Sequence, residues 1–474
     1  MSFNLEEFKN KPVVVWGMGE EGVASTLFLK QYGLTPTVID ERTKESIPEE
    51  TREILEREHV SMFFGPASLK KLSNVSLIVR SPGVSSSRAE LARARKDGTV
   101  VTSQTKLFFE LCPSPIVGIT GTKGKGTTST LLAGMLAKTI KERTARKGSL
   151  LERTKSVFLA GNMGGRQSPL SLLGKLKKND LVILELSSFQ LEDMAKSPTL
   201  SIVLEIFPDH LDHHKNIAHY VAAKSNILRF QKKGDSAIVS IDSHFSNGLI
   251  RVGNGEKITL SRTRTNTDIS LIKKFITINW NGKRVRLCDV SKSKLLGRHN
   301  AANIGAAAGA AFMLGAKPAV IAKEVASFKG LPHRLQLVAK RAGIAFYDDS
   351  IATIPEASYA AVRAFDSPVV LLVGGKSKGV DYRNFAKALC MEKYLHAVIG
   401  FGHSGPAIVQ EIKKAGFKGD LEVAGTEMVD LFKKIKLVAR KGDSVLLSPA
   451  ATSYDAYRNY KERGEVFAKY ANKY

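Results

Sequence analysis

Short apolar runs alternate with segments of helical periodicity along most of this chain. Near the amino terminus, the run 12–16 predicts a buried strand, 23–32 predicts a helix, and 35–39 predicts a second strand that ends at Asp40. The run 77–79 predicts a further strand, which a Ser-Pro-Gly turn follows. A strand, a helix and a strand in this order indicate a βαβ unit with parallel strands.

The same alternation continues through the middle of the chain. Apolar runs predict strands at 115–120, 181–184 and 200–204, and a helix is predicted over 127–138. Strands that alternate with helices indicate a mostly parallel sheet covered on both faces. Between 236 and 297, short strand-like pieces are separated by Asn-Gly and Gly-Asp turns, which predicts a small β appendage.

The last third of the chain predicts one more α/β unit. An alanine-rich helix over 301–314 is expected to close the middle part. Beyond it, helical segments separate four apolar runs, at 344–347, 369–373, 397–400 and 444–447. The predicted fold class is therefore α/β with three domains, over residues 1–112, 113–329 and 330–474.

Composition excludes several classes of protein. The chain has 474 residues, of which 43% are hydrophobic and 24% are charged, typical of a protein with sizeable cores rather than a disordered one. It has no apolar run of about 20 residues, so no transmembrane helix is expected. Residues 1–12 lack the apolar core of a secretory signal. Three widely separated cysteines are too few for a disulfide framework, so a reducing cytoplasm is the expected compartment.

The net charge of +26 raises a second possibility, because clustered lysines and arginines bind nucleic acids. The basic residues are spread along the whole length, however, and no zinc-finger spacing or aromatic RNA-binding motif accompanies them. The densest stretch, 138–155, is expected to be a surface loop after a helix. A solvated surface or a small phosphate-rich ligand is therefore favoured over a polynucleotide.

The strongest candidate for chemistry is a glycine-rich loop between a predicted strand and a predicted helix. It comprises Gly121, Thr122, Lys123, Gly124, Lys125, Gly126, Thr127 and Thr128. Backbone N–H groups of such a loop and of the helix start bind phosphates, and the lysine balances their charge. A hydroxyl just after the lysine usually binds Mg²⁺. Gly126 occupies that place, so either Thr127 or Thr128 must supply the hydroxyl.

Three further features follow this loop along the chain. Glu185 ends a buried strand, where a carboxylate can reach a Mg²⁺ ion held on phosphates. The segment 209–214 has the sequence Asp-His-Leu-Asp-His-His, which fits a transition-metal site and an ordinary polar loop equally well. Lys224 lies in a helical segment and, taken alone, is most simply a solvated lysine.

A second glycine-rich turn follows the first predicted strand. Gly17, Gly19 and Gly22 form a G-x-G-x-x-G pattern, and Asp40 ends the next strand. The pattern fits any ligand with a pyrophosphate and a ribose, whether a dinucleotide or a UDP-sugar.

Seven motifs in this order resemble the Mur ligase family over essentially the full length of the chain. They are 121–128, 184–191, 209–212, 220–224, 299–303, 330–334 and 447–453. The run Ser-Ser-Phe-Gln-Leu within 184–191 favours the D-glutamate-adding branch of that family. The resemblance implies a Rossmann-like amino-terminal domain for a UDP substrate, a central P-loop mononucleotide-binding domain for ATP, and a Rossmann-like carboxy-terminal domain that binds D-glutamate and closes on ATP.

The activity implied by the resemblance is an ATP-dependent amide ligation in peptidoglycan precursor synthesis. ATP phosphorylates the terminal carboxylate of UDP-N-acetylmuramoyl-L-alanine, and the amine of D-glutamate then displaces phosphate from the acyl phosphate. A carboxylate is a poor electrophile until it is phosphorylated, and lysines and two Mg²⁺ ions are expected because two anions must approach each other. A monomer that binds neither nucleic acid nor membrane is expected.

The resemblance also implies roles for individual residues. The implied catalytic residues are Lys125, His210 and Lys224, of which Lys224 matches a lysine that CO₂ carbamylates. The implied metal ligands are Thr127, Glu185, His210 and Lys224. The residues implied to bind ATP are those of the glycine-rich loop together with Asn300, Asn303 and Arg334. The UDP-substrate positions are Gly17, Gly19, Gly22, Asp40, Arg42, Ser81, Pro82, Gly83, Asn162 and Ser187. The D-glutamate positions are Thr353, Lys378, Ser453 and Tyr460.

Three alternatives remain open at this stage. A sister Mur ligase or a folylpolyglutamate synthase is possible, since the latter's P-loop also accepts glycine after the lysine. An NAD-dependent oxidoreductase would use the first glycine-rich turn but leaves the second one unexplained. A nucleic-acid-binding protein would account only for the charge. Ile351 and Glu205 also depart from the lysine and asparagine that are common in the family.

Overall fold

The computed structural model describes residues 3–161, 167–211, 213–297, 299–377 and 379–474. Within these residues the strands form three sheets, of five, nine and six strands. The chain divides into two compact units, Met1–Val290 with Ala302–Glu324, and Ser291–Ala301 with Val325–Tyr474. The five- and nine-stranded sheets belong to the first unit, and the six-stranded sheet belongs to the second. Mixed α/β architecture is thus confirmed, whereas the three domain boundaries stay a prediction.

The five-stranded sheet comes from the amino-terminal part of the chain. Its elements are β1 (Val13–Trp16), α1 (Glu20–Gln31), β2 (Pro36–Asp40), α2 (Glu49–Arg57), β3 (Met62–Phe64), β4 (Leu77–Arg80), α3 (Ala89–Lys96), β5 (Val100–Ser103) and α4 (Gln104–Leu111). The order is β3-β2-β1-β4-β5, with parallel pairs throughout. Successive residues of β1 enter two apolar clusters, Val13 and Val15 in one and Val14 and Trp16 in the other. The strand is therefore apolar at every position.

The nine-stranded sheet forms the central part. Its elements are β6 (Ile116–Thr120), α5 (Lys125–Lys141), α6 (Leu150–Arg153), β7 (Ser156–Gly161), α7 (Pro169–Leu172), β8 (Asp180–Glu185), α8 (Ser188–Leu191), β9 (Leu200–Val203), α9 (Ile217–Arg229), β10 (Ser236–Ser240), α10 (His244–Gly248), β11 (Glu256–Ser261), β12 (Ile269–Ile272), β13 (Phe275–Trp280), β14 (Lys283–Asp289), α11 (His299–Leu314) and α12 (Pro318–Ser327). The order is β14-β13-β12-β11-β10-β9-β6-β8-β7.

Two expectations for this part are wrong. The segment predicted as a small β appendage instead continues the central sheet, because β10 pairs in parallel with β9 and β11. Among the described strands of this sheet, only β12, β13 and β14 are joined by antiparallel pairing, at the sheet edge. The basic stretch predicted as a loop is partly helical, since α5 continues to Lys141 and α6 covers Leu150–Arg153.

The six-stranded sheet comes from the carboxy-terminal part. Its elements are β15 (Gln336–Arg341), β16 (Ile344–Asp348), α13 (Pro355–Val362), β17 (Val369–Gly374), α14 (Arg383–Leu389), β18 (Leu395–Phe401), α15 (Gly405–Lys414), β19 (Asp420–Val423), α16 (Met428–Val438), β20 (Ser444–Leu447) and α17 (Tyr460–Ala471). The order is β15-β16-β20-β17-β18-β19, and only the pair β15–β16 is antiparallel. Across the described ranges, no helix is both long and apolar enough to cross a membrane.

Candidate functional site

The predicted phosphate loop lies at the carboxyl end of β6, between the ends of β8 and β9. In the sheet register, Ile119 is paired with Glu185 and Thr120 with Val203. Open α/β sheets bind ligands at such a point, where the strand order reverses. The loop leads directly into α5, which begins at Lys125. The loop amides and the N–H groups of this helix start therefore have the arrangement that anion binding requires, and the phosphate site stays a prediction.

Close packing requires glycine at two positions of the loop. Gly124 has φ +87°, and a Cβ there would lie 2.2 Å from Asn303 Oδ1. Gly121 has φ +150°, and a Cβ there would lie 2.7 Å from the Cβ of Leu204. A side chain at either position would meet both a steric and a backbone penalty. Asn303, predicted on the ATP side, accordingly lies against the loop.

Two lysines converge on the carbonyl oxygen of Gly121. Lys125 Nζ donates to it at 2.9 Å and to the Thr122 carbonyl at 3.2 Å. Lys224 Nζ donates to the same Gly121 oxygen at 3.0 Å and to Thr120 Oγ1 at 3.3 Å. Lys224 is 1% exposed. Burial, and next the positive charge of Lys125, hold the pKa of Lys224 well below its usual value. The interpretation of Lys224 as a solvated lysine is wrong.

Glu185 is the buried last residue of β8 and contacts a hydroxyl that the sequence motif did not single out. Ser129 Oγ lies 2.5 Å from Glu185 Oε1 and 3.0 Å from the Gly126 carbonyl oxygen. Ser129 comes about one helical turn after Gly126, so both lie on the same side of α5. The loop pattern 121–128 ends before Ser129, so the sequence offered no signal for this contact.

The sequence allowed either Thr127 or Thr128 to be the Mg²⁺ ligand. These two threonines differ in burial. Thr127 is 8% exposed and Thr128 is fully buried. Among the described residues, Thr128 Oγ1 has no hydrogen-bond partner. Hydroxyl and carboxylate oxygens are the donors that Mg²⁺ prefers. Glu185 and either of these hydroxyls are therefore of the donor type that a magnesium ion takes.

The Asp-His segment lies beside the phosphate loop. Thr122 Oγ1 lies 3.0 Å from the Phe207 carbonyl oxygen and 3.1 Å from the hydroxyl of Tyr220. Asp209 Oδ2 is 3.8 Å from Lys123 Nζ and 3.9 Å from His210 Nε2. The His210 side chain is half exposed and its backbone has φ +53°. This predicted catalytic histidine thus lies next to the loop that bears Lys125.

The first glycine-rich turn and two polar segments meet at one edge of the five-stranded sheet. Trp16 is paired with Ile39 and with Arg80, so β1, β2 and β4 end side by side. Gly17 follows β1 with φ +110°, and Ser81 Oγ donates to its carbonyl oxygen at 3.2 Å. The predicted positions Gly19, Gly22, Pro82 and Gly83 continue these same turns.

Asp40 orders this edge through hydrogen bonds. It accepts from the backbone N–H of Met18 at 2.8 Å, and the Arg42 guanidinium donates to both of its carboxylate oxygens at 2.8 and 2.9 Å. Burial alone would raise the pKa of Asp40, but the hydrogen bonds from Arg42 and Met18 outweigh it and leave the pKa below its usual value. Asp40 and Arg42, both predicted on the UDP side, are therefore brought together with Gly17.

Two buried polar contacts join this edge to the segment that follows β8, and sequence reasoning missed both. Glu21 Oε1 accepts a 2.7 Å hydrogen bond from Gln190 Nε2. Burial raises the pKa of Glu21 to about 7, against the opposing effect of the Gln190 hydrogen bond. The fully buried Arg80 lies 2.5 Å from Asp193 Oδ1. Each pair is separated by more than 100 residues, and no local pattern signals such a pairing.

The Ser187 side chain caps the amino-terminal end of α8. Its hydroxyl accepts from the Gln190 backbone N–H at 3.2 Å, and the Gln190 side chain accepts from the Ser187 N–H at 2.9 Å. This capping box orients Gln190 toward Glu21. Asn162 and Lys378, both predicted to bind substrates, lie outside the described residues.

In the second unit, the predicted D-glutamate residues Thr353 and Ser453 follow the neighbouring strands β16 and β20. The fully buried Arg463 joins the two segments, with Nε 2.9 Å from Ser350 Oγ and Nη2 3.1 Å from the Ala451 carbonyl oxygen. Sequence reasoning missed this arginine, because nothing in its helix marks it as buried.

Three other predicted residues lie in the second unit. Tyr460 begins α17, and its ring centroid is 5.9 Å from that of His333. Arg334 directly follows His333 and precedes β15. Asn300 Nδ2 donates to the Leu296 carbonyl oxygen at 2.5 Å.

Family models match three successive parts of the chain. They are described as Mur ligase MurD-like, N-terminal domain (residues 11–103), Mur ligase middle domain (residues 119–311) and Mur ligase, glutamate ligase domain (residues 333–451). Each matched range contains most of the strands of one of the three sheets.

Curated relatives match the chain from end to end. UDP-N-acetylmuramoylalanine--D-glutamate ligase of Ruminiclostridium cellulolyticum is 31% identical over 100% of this chain and 99% of the relative. The protein of the same name from Pelotomaculum thermopropionicum is 33% identical over 98% of both chains. Among solved structures, MurF ligase from Thermotoga maritima in complex with ADP is similar in fold, with a TM-score of 0.54 and 18% identity over 99% of this chain and 97% of that one.

Proposed function

The chain belongs to the Mur ligase family, and we propose that it joins D-glutamate to UDP-N-acetylmuramoyl-L-alanine with conversion of ATP to ADP, in peptidoglycan precursor synthesis. The similarity over the full length to relatives named for this reaction supports it over a sister ligase. The observation that carries it is the convergence of Lys125 and Lys224 on one loop carbonyl beside Glu185. Cationic groups and an acidic metal ligand at a strand-end loop are what phosphoryl transfer requires.

The first chemical step transfers the γ-phosphoryl group of ATP to the terminal carboxylate of the UDP substrate. Lys125 and the loop amides from Gly121 to Thr128 would hold the β- and γ-phosphates and offset their repulsion of the attacking carboxylate. Glu185, with Thr127 or Thr128, would hold a Mg²⁺ ion, which supplies positive charge at the transferring phosphoryl group. Asn300, Asn303 and Arg334 are proposed for the nucleotide side.

The second step is attack of the D-glutamate amine on the acyl phosphate, which forms the amide bond and releases phosphate. Thr353, Lys378, Ser453 and Tyr460 are proposed to bind D-glutamate.

His210 and Lys224 are proposed ligands at a second magnesium site. As an ammonium ion, Lys224 could not bind a cation, but its lowered pKa favours the neutral amine that attacks CO₂. The reaction forms an N–C bond, opens one C=O bond of CO₂ and releases one proton, so that a carbamate anion replaces the neutral amine. Lys224 is buried against the loop, which would hold that anion close to the phosphates.

The UDP end of the substrate is proposed to bind along the edge that bears Gly17, Asp40, Arg42 and Ser81. Gly19, Gly22, Pro82 and Gly83 would shape that edge. Asn162 would contact the muramoyl part, and Ser187 is a further proposed position for this substrate. We further propose that the protein acts as a monomer in the cytoplasm, with these small molecules as its partners.

The direct test is phosphate release from ATP and Mg²⁺ in the presence of UDP-N-acetylmuramoyl-L-alanine and either D-glutamate or L-glutamate. We expect release only with the nucleotide substrate and the D-isomer together. Release with neither isomer would contradict the proposal and favour a sister ligase.

Lys125→Ala tests the phosphate site against a matched control. We expect turnover to be lost, because the phosphates lose their main cation. Lys141→Ala is the control, since this exposed lysine ends α5, at the opposite end of the helix from the loop; it should retain most of the activity. Equal rates for Lys125→Ala and the unaltered enzyme in the phosphate-release assay would refute the site.

A further inference from the structure

A cluster of two imidazoles and one carboxylate lies near the phosphate loop and has no role in the proposed reaction. Glu192 follows α8, and His213 and His214 precede α9. One ligand atom from each of the three lies within 4.8 Å of the other two. All three residues belong to the first compact unit.

The three side chains are largely shielded from solvent, and each imidazole has one ring nitrogen without a partner among the described residues. The side chains of Glu192 and His213 are 4% and 13% exposed, and His214 is fully buried. His213 Nε2 and His214 Nδ1 have no hydrogen-bond partner within the described part of the chain. Glu192 Oε2 lies 3.7 Å from His213 Nε2, which is too long for a hydrogen bond. Buried nitrogens without a partner cost free energy unless another group binds them.

We propose that Glu192, His213 and His214 bind a divalent transition-metal ion of the Zn²⁺ type. Two imidazoles and a carboxylate are ligands that such ions accept, whereas Mg²⁺ prefers oxygen ligands alone. Metal–ligand bonds of about 2.0–2.1 Å require the most distant donors to approach by roughly 1–1.5 Å. Rotation of His213, which precedes α9 in a loop, supplies part of that movement.

Groups around the three ligands already hold them in place. Ser188 Oγ lies 2.9 Å from His214 Nε2, and this contact leaves Nδ1 as the nitrogen without a partner. The backbone N–H of Ser86 donates to Glu192 Oε2 at 3.2 Å. Such outer hydrogen bonds orient metal ligands and increase affinity.

The bound ion would connect two segments of the first unit, the end of α8 and the loop before α9, and the hydrogen bond from Ser86 to Glu192 would link them to the turn after β4. Phe189 lies among the imidazoles, with ring centroids 4.4 Å from His213, 5.6 Å from His214 and 5.0 Å from His210. An ion on His213 and His214 would therefore also restrict the loop that bears His210.

The test is Zn²⁺ binding to the full chain, measured by competition with a chromophoric chelator, without ATP and with Mg²⁺ in excess. We expect one Zn²⁺ per chain. His213→Gln and Glu192→Gln should each weaken binding at least about tenfold, the lower end of what loss of an outer-shell partner costs. His244→Gln is the matched control, because this exposed histidine lies in the same unit outside the cluster.

Two further measurements locate the ion. Co²⁺ should give the intensified visible absorption of a four-coordinate site, and His213→Gln should abolish it. His210→Ala should leave Zn²⁺ binding intact. Binding that disappears in His210→Ala but persists in His213→Gln would place the ion in the proposed magnesium site and overturn the inference. Absence of stoichiometric binding to the unaltered chain would also overturn it. No substrate is used, so neither result depends on ligase activity.

Discussion

Arg463→Met should destabilise the second unit selectively. Arg463 is fully buried, and its guanidinium donates to Ser350 Oγ at 2.9 Å, to the Ser350 carbonyl oxygen at 3.0 Å and to the Ala451 carbonyl oxygen at 3.1 Å. Methionine keeps the apolar stem but leaves these acceptors without a donor. Each buried acceptor left without a donor costs about 1–3 kcal/mol, so the three together should cost about 3–5 kcal/mol, at the lower end of their sum. With an m-value of about 2 kcal/mol per M urea, the midpoint should fall by roughly 1.5–2.5 M.

The assay is a urea series read by two probes. Both tryptophans, Trp16 and Trp280, belong to the first unit, so their fluorescence reports that unit and should be unchanged. Hydrogen exchange of peptides that cover 349–353 and 448–453 reports the second unit and should show the shift. The Michaelis constant for D-glutamate should rise, because Ser350 and Ala451 adjoin the segments that bear Thr353 and Ser453.

Arg458→Met is the matched control for this experiment. Its side chain is 85% exposed and lies 3.3 Å from Glu462, and exposed pairs of this kind contribute about 0–1 kcal/mol. The control should therefore shift the midpoint by no more than about 0.5 M. A shift that small for Arg463→Met would refute the assignment of Arg463 as the buried link between the two segments.

Three further predictions concern the first unit. The pKa of Glu21 is about 7 against an ordinary 4.5, so the folded state holds an extra proton between these values and stability falls as pH rises through that window. Glu21→Gln should remove that slope and raise the urea midpoint at pH 8, read by tryptophan fluorescence; an unchanged slope would contradict it. Ser129→Ala removes the hydroxyl beside Glu185 and should raise the half-saturating Mg²⁺ concentration about tenfold, whereas an unaltered Mg²⁺ titration would argue against this contact. Lys224→Ala should abolish phosphate release and recover with small carboxylates, and full activity without them would exclude the carbamate.

The strands, helices and glycine-rich loops were predictable, because the residues that determine each of them lie close together in the sequence. The strand β6, the glycine-rich loop and the start of α5 are contiguous, so apolar periodicity and glycine placement were enough to predict a phosphate site there. The end of β8 at Glu185 followed from the same periodicity. Prediction was poorer for β10 and β11, because short strands carry no signal of the sheet that they join.

The sequence by itself determined the alternation of strands and helices, the two glycine-rich turns and the motif order shared with the Mur ligases. Only the tertiary structure decided that Lys224 is buried against Gly121, that Ser129 contacts Glu185, and that Glu192 lies beside His213 and His214. The physical reason is that burial and charge pairing arise between segments distant in the chain. A lysine in a helix has the same local pattern whether its amine meets water or a carbonyl oxygen, and its chemistry differs only once the neighbours are in place.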